Sequence, residues 1–288
     1  MPKSQRLMFA DMRAITRLLG ECRELGDDAL LWRYHFIAGA AKLIGADASA
    51  GGEMRGCLTG SPHTMAGVAW GFEGGLNIDG LRIVWEWGVT DPFRSELWTR
   101  VHGELNSGAH GITAARQQLI ADPVWDRSND NQYVMRTMEA DQVIHSFYAL
   151  PGNDGCIEND QHDGVVWFRA RGGAPFSERE VALVKFMHEE LARLIGGPLA
   201  SASEPSPSQL PPRARQVLRA LLEGEADKQI ATRLDVSPHT INQYTKQIFR
   251  HFRVAGRNQL LARWIRRGWS NAAAWNVTEL TPVVRISL

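Results

Sequence analysis

Apolar and polar positions change rhythm along this chain, and the clearest rhythm comes late. From residue 211 onward, apolar residues recur at three- and four-residue steps and predict four short helices. The first, Pro211–Glu223, carries Ala214, Val217, Leu218, Leu221 and Leu222 on one side and stops at Gly224. The second, Asp227–Leu234, has Asp227 as its cap and Ile230, Ala231 and Leu234 facing inward. Asp235-Val236-Ser237 then forms a tight turn, with Val236 plugging the core. The third, Ser237–Phe252, starts on an N-capping hydroxyl, and Pro238 falls at the first helical position, where no amide is needed. Its buried stripe is Ile241, Tyr244 or Thr245, Ile248 and Phe252. The fourth, Asn258–Arg267, buries Leu260, Leu261, Trp264 and Ile265 and ends at Gly268. Two short helices joined by so short a turn predict a helix-turn-helix unit, the second helix of which enters the major groove of DNA.

Earlier residues mix helical and alternating rhythms. Asp11–Arg23 and Asp28–Leu43 read as helices, the second through Leu31, Tyr34, Ile37 and Ala41. Cys57–Leu58, Thr64–Phe72, Leu81–Trp87, Arg136–Met138, Val143–Leu150 and Gly164–Ala170 read as strands, with a helix over Asp91–Leu105. Ser177 and Glu180 form a capping box, Phe176 can staple onto Val181, and the helix they open runs to about Ile195. The predicted fold is an α+β domain, an antiparallel sheet with flanking helices, followed by an all-α four-helix domain. The boundaries are 1–195 for the first domain, 196–209 for a Pro- and Ser-rich linker, 210–270 for the helical domain and 271–288 for an apolar tail. The linker composition cannot bury enough to fold, so the helical module is free to move or to dock. The tail, with Trp275, Val283 and Val284 and preceded by Trp269, is expected to pack on the fourth helix or a partner subunit.

The other face of the third helix carries His239, Asn242, Gln243, Lys246 and Arg250. Asn and Gln can bond adenine in bidentate fashion, and Lys or Arg can reach guanine or phosphate. Charge supports this reading. Residues 209–270 hold twelve Lys/Arg against four acids, a surplus of eight positive charges. The whole chain has 32 of each, so the remainder carries 20 basic and 28 acidic residues. A basic module on an acidic body is the footprint of nucleic-acid binding. The expected partner is double-stranded DNA.

The run from Leu210 to Leu260 resembles the LuxR-type (NarL/FixJ/GerE-like) DNA-binding domain. Arg213, Arg215, Val217, Leu218, Gly224, Lys228, Ile230, Ala231, Leu234, Val236, Ser237, Thr240, Ile248, Val254 and Arg257 match it in order and spacing. The resemblance covers about a fifth of the chain and is far more specific than a three-residue motif. It implies a transcription regulator with DNA-contacting positions at Lys228, Ser237, His239, Thr240, Asn242, Gln243, Lys246, Arg250 and Arg257. It further implies dimerisation through the fourth helix, and RNA polymerase as a further partner. Ala214 stands where the family usually has Glu, Asn242 where Lys is common and Tyr244 where His is common, so the family's base preference does not transfer. A second, less specific resemblance lies in the passage from the strand at Gly164 through Pro175-Phe176-Ser177-Glu178-Arg179-Glu180, which is similar to the end of GAF-type sensor domains. That implies a small-molecule pocket on one face of the sheet, and terminal helices that pair between subunits.

Trp70, Trp85, Trp87 and Trp167 are the candidates for an aromatic-lined effector pocket, with core packing as the simpler role for most. Trp85-Glu86-Trp87 before Asp91-Pro92 is similar to autoinducer-binding domains, though the spacing differs. Asp27-Asp28 lacks the strand and companion residues of a phosphoacceptor site. His162 with Asp160 and Asp163 could bind a metal, but surface turn chemistry accounts for them and no metal or cofactor is predicted. Cys22, Cys57 and Cys156 are odd in number and far apart; they form neither ligand cluster nor disulfide framework, read as inert, and suit a cytoplasmic setting. No signal core and no run of eighteen apolar residues occurs, so no membrane partner is expected. No Gly-rich phosphate loop, G-x-S-x-G elbow or His-Glu-x-x-His is present, so catalysis is not supported. The rival reading is a small-molecule-binding or enzymatic protein whose helical module serves assembly alone.

Overall fold

The computed structural model describes residues 7–108, 110–151 and 160–269. Two helices, α1 (Phe9–Glu24) and α2 (Ala29–Ile44), precede β1 (Ala48–Arg55) and β2 (His63–Trp70). Asp28 opens α2, its Oδ1 accepting from the amides of Leu30 and Leu31 at 3.0 and 3.1 Å. Helices α3 (Asp79–Thr90) and α4 (Glu96–Asn106) follow, then β3 (Gly111–Ala115). Short helical turns α5 (Arg116–Leu119), α6 (Asp122–Trp125) and α7 (Arg136–Met138) lead to β4 (Ala140–Ala149) and β5 (Gln161–Ala170). Helix α8 (Glu178–Ala192) closes this half, opened by the expected capping box, with the Ser177 amide donating to Glu180 Oε2 at 2.7 Å. The five strands form one sheet in the order β2-β1-β5-β4-β3, antiparallel throughout.

Each face of the sheet has its own core, because side chains alternate across a strand. On one face Trp32 and Phe36 of α2 and Val184 and Leu191 of α8 pack on Ile144 and Trp167. On the other, Leu81, Trp87 and Leu97 pack with Met138, Val143 and Phe168. The all-α region builds a third core from α9 (Pro212–Leu222), α10 (Asp227–Leu234), α11 (Pro238–Phe252) and α12 (Arg257–Arg267). Among the described residues, no helix is long and apolar enough to cross a membrane.

Several sequence expectations need correction. Leu81–Trp87 is not a strand but the middle of α3. Its Leu81, Val84, Trp85 and Gly88 lie at helical spacing, and Asn77 Oδ1 accepts the Asp79 amide at the helix start. Cys57–Leu58 belong to the turn after β1, and Arg136–Met138 are helical. Strands β1 and β3 were not expected. The residues of β1, Ala-Ser-Ala-Gly-Gly-Glu-Met-Arg, have poor strand propensity. Crowding explains the choice: a Cβ on Gly52 would lie 2.3 Å from the Ala66 carbonyl oxygen, and one on Gly51 would lie 2.9 Å from Val165 Cγ2.

Of the two alternatives open for the Pro- and Ser-rich segment, moving or docking, the structure has it docked. Leu199, Ala200, Ser201 and Ser206 are buried. Glu53 of β1 accepts from Ser201 Oγ and from the Ala202 amide, both at 2.7 Å. Asp28 Oδ2 accepts from Ser206 Oγ at 2.6 Å. On its other side, Glu204 pairs with Arg263 at 2.8 Å and Arg267 at 2.7 Å, both on α12. Pro and Ser supply little apolar surface, but here buried carboxylates hold the segment by hydrogen bonds. Tail residues 271–288 lie outside the described residues; Trp269, just before them, is buried against Trp264 of the fourth helix.

Candidate nucleic-acid interface and effector pocket

Helix α11 is fixed at both ends and along one side. Ser237 Oγ accepts the Thr240 amide at 3.0 Å, and Pro238 occupies the first turn. At the other end Arg253 adopts a left-handed conformation (φ 54°), and its amide returns to the Arg250 carbonyl at 3.2 Å. Ile241, Thr245, Ile248 and Phe252 are the buried stripe, and Tyr244, half-buried, packs against the same core. The opposite face is open: His239, Asn242, Gln243, Lys246 and Arg250 are all exposed. Gln243 Nε2 sits 3.0 Å from His239 Nε2, one helical turn away. Ser237 and Lys228 are exposed beside this face, and Thr240 is half-buried. Nothing in the described chain walls off the polar face.

Two details differ from the sequence reading. Asp227 is the first helical residue of α10 rather than its cap; Ala226 takes that place, and Gln229 Oε1 accepts the Ala226 amide at 2.7 Å. Asp227 still favours the helix, as a negative charge in the first turn. Arg257, grouped with the DNA-contacting set, turns inward: Nη1 donates to the Glu225 carbonyl at 2.7 Å and Nη2 to the Leu221 carbonyl at 2.8 Å. It thereby satisfies carbonyls left open where α9 ends. Arg257→Ala is expected to cost about 1–3 kcal/mol of stability, measured by denaturant unfolding, while base preference at fixed folded fraction stays unchanged.

The sheet domain contains a cavity of about 160 Å³ between one sheet face and helices α3 and α4. Its wall is mainly apolar, including Leu81, Trp85, Trp87, Val143 and Phe147. Of the four candidate tryptophans, Trp85 and Trp87 line it. Trp167 does not: strand alternation turns it to the other face, where it is fully buried with Nε1 donating to the Ile37 carbonyl at 3.4 Å. Trp70 packs on that same opposite core.

The cavity's polar groups were not foreseen. Ser95 Oγ donates to Asp130 Oδ1 at 2.6 Å, and the Leu97 amide donates to Oδ2 at 3.0 Å. Burial nevertheless pushes the Asp130 carboxyl up to about 6, with those two hydrogen bonds opposing the rise and the neighbouring Glu96 adding to it. His145 projects from β4 between Val143 and Phe147, with both ring nitrogens buried and without a hydrogen-bond partner. Burial pulls the imidazole down to about 4, so it is neutral at physiological pH. Trp98 Nε1, also at the wall, is likewise unpartnered. A lone histidine in the alternating apolar run Val143–Phe147 was the available sequence signal. Nothing local marked Asp130, which reaches the cavity only through tertiary packing.

The geometry thus defines a helix-turn-helix DNA-binding domain joined by a docked strap to a pocketed sheet domain. Residues 208–264 match the family described as bacterial regulatory proteins, luxR family (GerE), and this segment is a LuxR-family helix-turn-helix domain. Among solved structures, the chain is similar to SdiA in complex with octanoyl-rac-glycerol, at 16% identity and a TM-score of 0.39, covering 91% of this chain and 97% of that one. It is also similar to Escherichia coli SdiA, at 15% identity and a TM-score of 0.34, covering 90% and 98%. No curated protein matches.

Proposed function

We propose that this chain is a cytoplasmic, homodimeric transcription regulator whose DNA binding is controlled by a small molecule in the sheet-domain cavity. The observation that carries the DNA reading is the exposed polar face of α11 within a LuxR-family domain. Asn242 and Gln243 read base edges, Lys246 and Arg250 engage phosphate or guanine, and Lys228, Ser237 and Thr240 anchor the backbone. His239 lies one turn from Gln243 and steadies its amide. Ile265 on α12, expected from its spacing to be buried, is instead 77% accessible, and this exposed apolar side chain supports pairing of two copies through that helix.

The effector is a largely apolar molecule with one polar end. Its apolar part matches the wall, and a single polar group would satisfy His145, whose buried nitrogens otherwise carry a desolvation penalty. Glu53 supplies a route from pocket to DNA module. It lies on β1 between the cavity-lining Gly52 and Met54, and it holds Ser201 and Ala202 of the strap. RNA polymerase is the downstream partner expected of such a regulator.

Host genomic fragments selected by the full-length protein should share a two-fold motif. Asn242→Ala and Gln243→Ala should each relax preference at one base pair by about 1–3 kcal/mol. Fragments with no common motif, or a motif indifferent to both substitutions, would leave the helical module with an assembly role only.

A further inference from the structure

A group of potential ligands lies apart from the DNA-facing helix and from the pocket's polar residues. Cys57 sits in the turn after β1, Asp160 immediately precedes β5, and His162 is the second residue of that strand. All three side chains are buried, at 0%, 4% and 2% exposure. A thiol sulfur, a carboxylate oxygen and an imidazole nitrogen from them all lie within 4.8 Å of one another. These residues are not the surface turn that the sequence suggested. Asp163, grouped with them there, points elsewhere and pairs with Arg33 at 2.6 Å.

The two oxygens of Asp160 face different surroundings. Oδ2 accepts the Leu58 amide at 2.6 Å and so holds the turn. Oδ1 lies 3.0 Å from His162 Nδ1, and neither atom has a partner beyond this contact. A buried carboxylate oxygen and imidazole nitrogen that have only each other, with a thiol within 4.8 Å, form a donor set that a shared third body can join. Around them Val101, Leu105 and Phe147 pack against Cys57.

We propose that Cys57, Asp160 and His162 bind one divalent transition-metal ion of the zinc class. The donor set decides the class: sulfur and imidazole suit zinc and its transition-metal neighbours, whereas calcium and magnesium take oxygen. Bonds of about 2.0–2.3 Å are needed, so the side chains must close by about an ångström. Three protein ligands leave the fourth tetrahedral position to water. The turn that Asp160 fixes runs on to Pro62 and His63 at the pocket wall, so the ion would brace one edge of the cavity.

The test uses full-length protein stripped with a chelator, kept free of oxygen and titrated with Co²⁺ alone, then Zn²⁺. One Co²⁺ per chain is expected, with thiolate-to-cobalt charge-transfer absorption that Zn²⁺ abolishes by displacement. Cys57→Ser should remove that absorption and Cys22→Ser should keep it. His162→Asn should weaken Co²⁺ by more than about tenfold, no less than losing an outer hydrogen-bond partner of a metal ligand. Unmodified protein that binds no Co²⁺, or binds it without the charge-transfer band, overturns the site; this outcome does not depend on any variant folding. Persistence of the band in Cys57→Ser overturns it as well. None of these readouts involves DNA, so the site and the regulator reading stand or fall separately.

Discussion

Arg33→Met should lower the stability of the folded chain by about 3–5 kcal/mol, the largest single-residue effect expected in the sheet domain. Arg33 is fully buried, with Nη2 donating to Asp163 Oδ2 at 2.6 Å and Glu53 Oε1 at 3.1 Å, and Nη1 donating to the Ala29 carbonyl at 2.9 Å. The network extends to His188, whose Nε2 lies 3.1 Å from Asp163 Oδ1 and whose Nδ1 lies 2.7 Å from Ser146 Oγ. Methionine approximates the side-chain volume but leaves two carboxylates buried without their cation. The pH dependence separates this from a simple packing loss. Burial alone would raise Asp163, but Arg33 and His188 outweigh it and hold the carboxyl below its usual range. A depressed carboxylate contributes stability above its unfolded pKa of about 3.9, and that contribution is lost as pH falls through the folded value. In Arg33→Met the Asp163 carboxylate loses that support and protonates more readily. The deficit against wild type should therefore be largest at neutral pH and shrink towards about pH 4. Urea denaturation across that range measures it; a deficit independent of pH would mean lost packing alone.

Legibility in the sequence followed the range of the forces involved. Caps and helical stripes act over four residues, so the start of α11 at Ser237 and the capping box at Ser177 could be read directly. The polar face of α11 was legible for the same reason: Asn242, Gln243 and Lys246 are neighbours on one helix whatever the rest of the chain does. Strand β1 was not legible. Its glycines answer to Val165 and Ala66, contacts set by sheet pairing rather than by local preference. Aromatic and β-branched residues made α3 look like a strand, although its spacing suits a helix lying over a cavity. The choice between moving and docking could not be read from the strap's composition, because it is decided by Glu53 and Asp28 in distant parts of the chain and by the pairing of Glu204 with Arg263. Cys57 and His162 are 105 positions apart, and only the β1–β5 pairing, with Met54 opposite His162, brings them together.

DNA affinity should fall by about 10³–10⁵ between 50 and 200 mM salt, and the location of the basic residues sets that magnitude. Of the twelve Lys/Arg in residues 209–270, Arg233, Arg263 and Arg267 are paired with Glu side chains, and Arg257 holds backbone carbonyls. Lys228, Lys246, Arg250 and Arg253 are exposed on and around α10 and α11. Four such groups in each half of the proposed dimer would supply about eight phosphate contacts, within the range that produces so steep a salt response. Lys246→Ala should weaken binding to motif and random duplexes alike and reduce the salt slope by about 1. Asn242→Ala should leave the slope unchanged and act only on the motif, because a neutral amide releases no counterion. Fluorescence anisotropy across a salt series distinguishes the two. A Lys246→Ala slope equal to wild type would place that lysine off the phosphate backbone and shift the DNA-contacting surface away from the middle of α11.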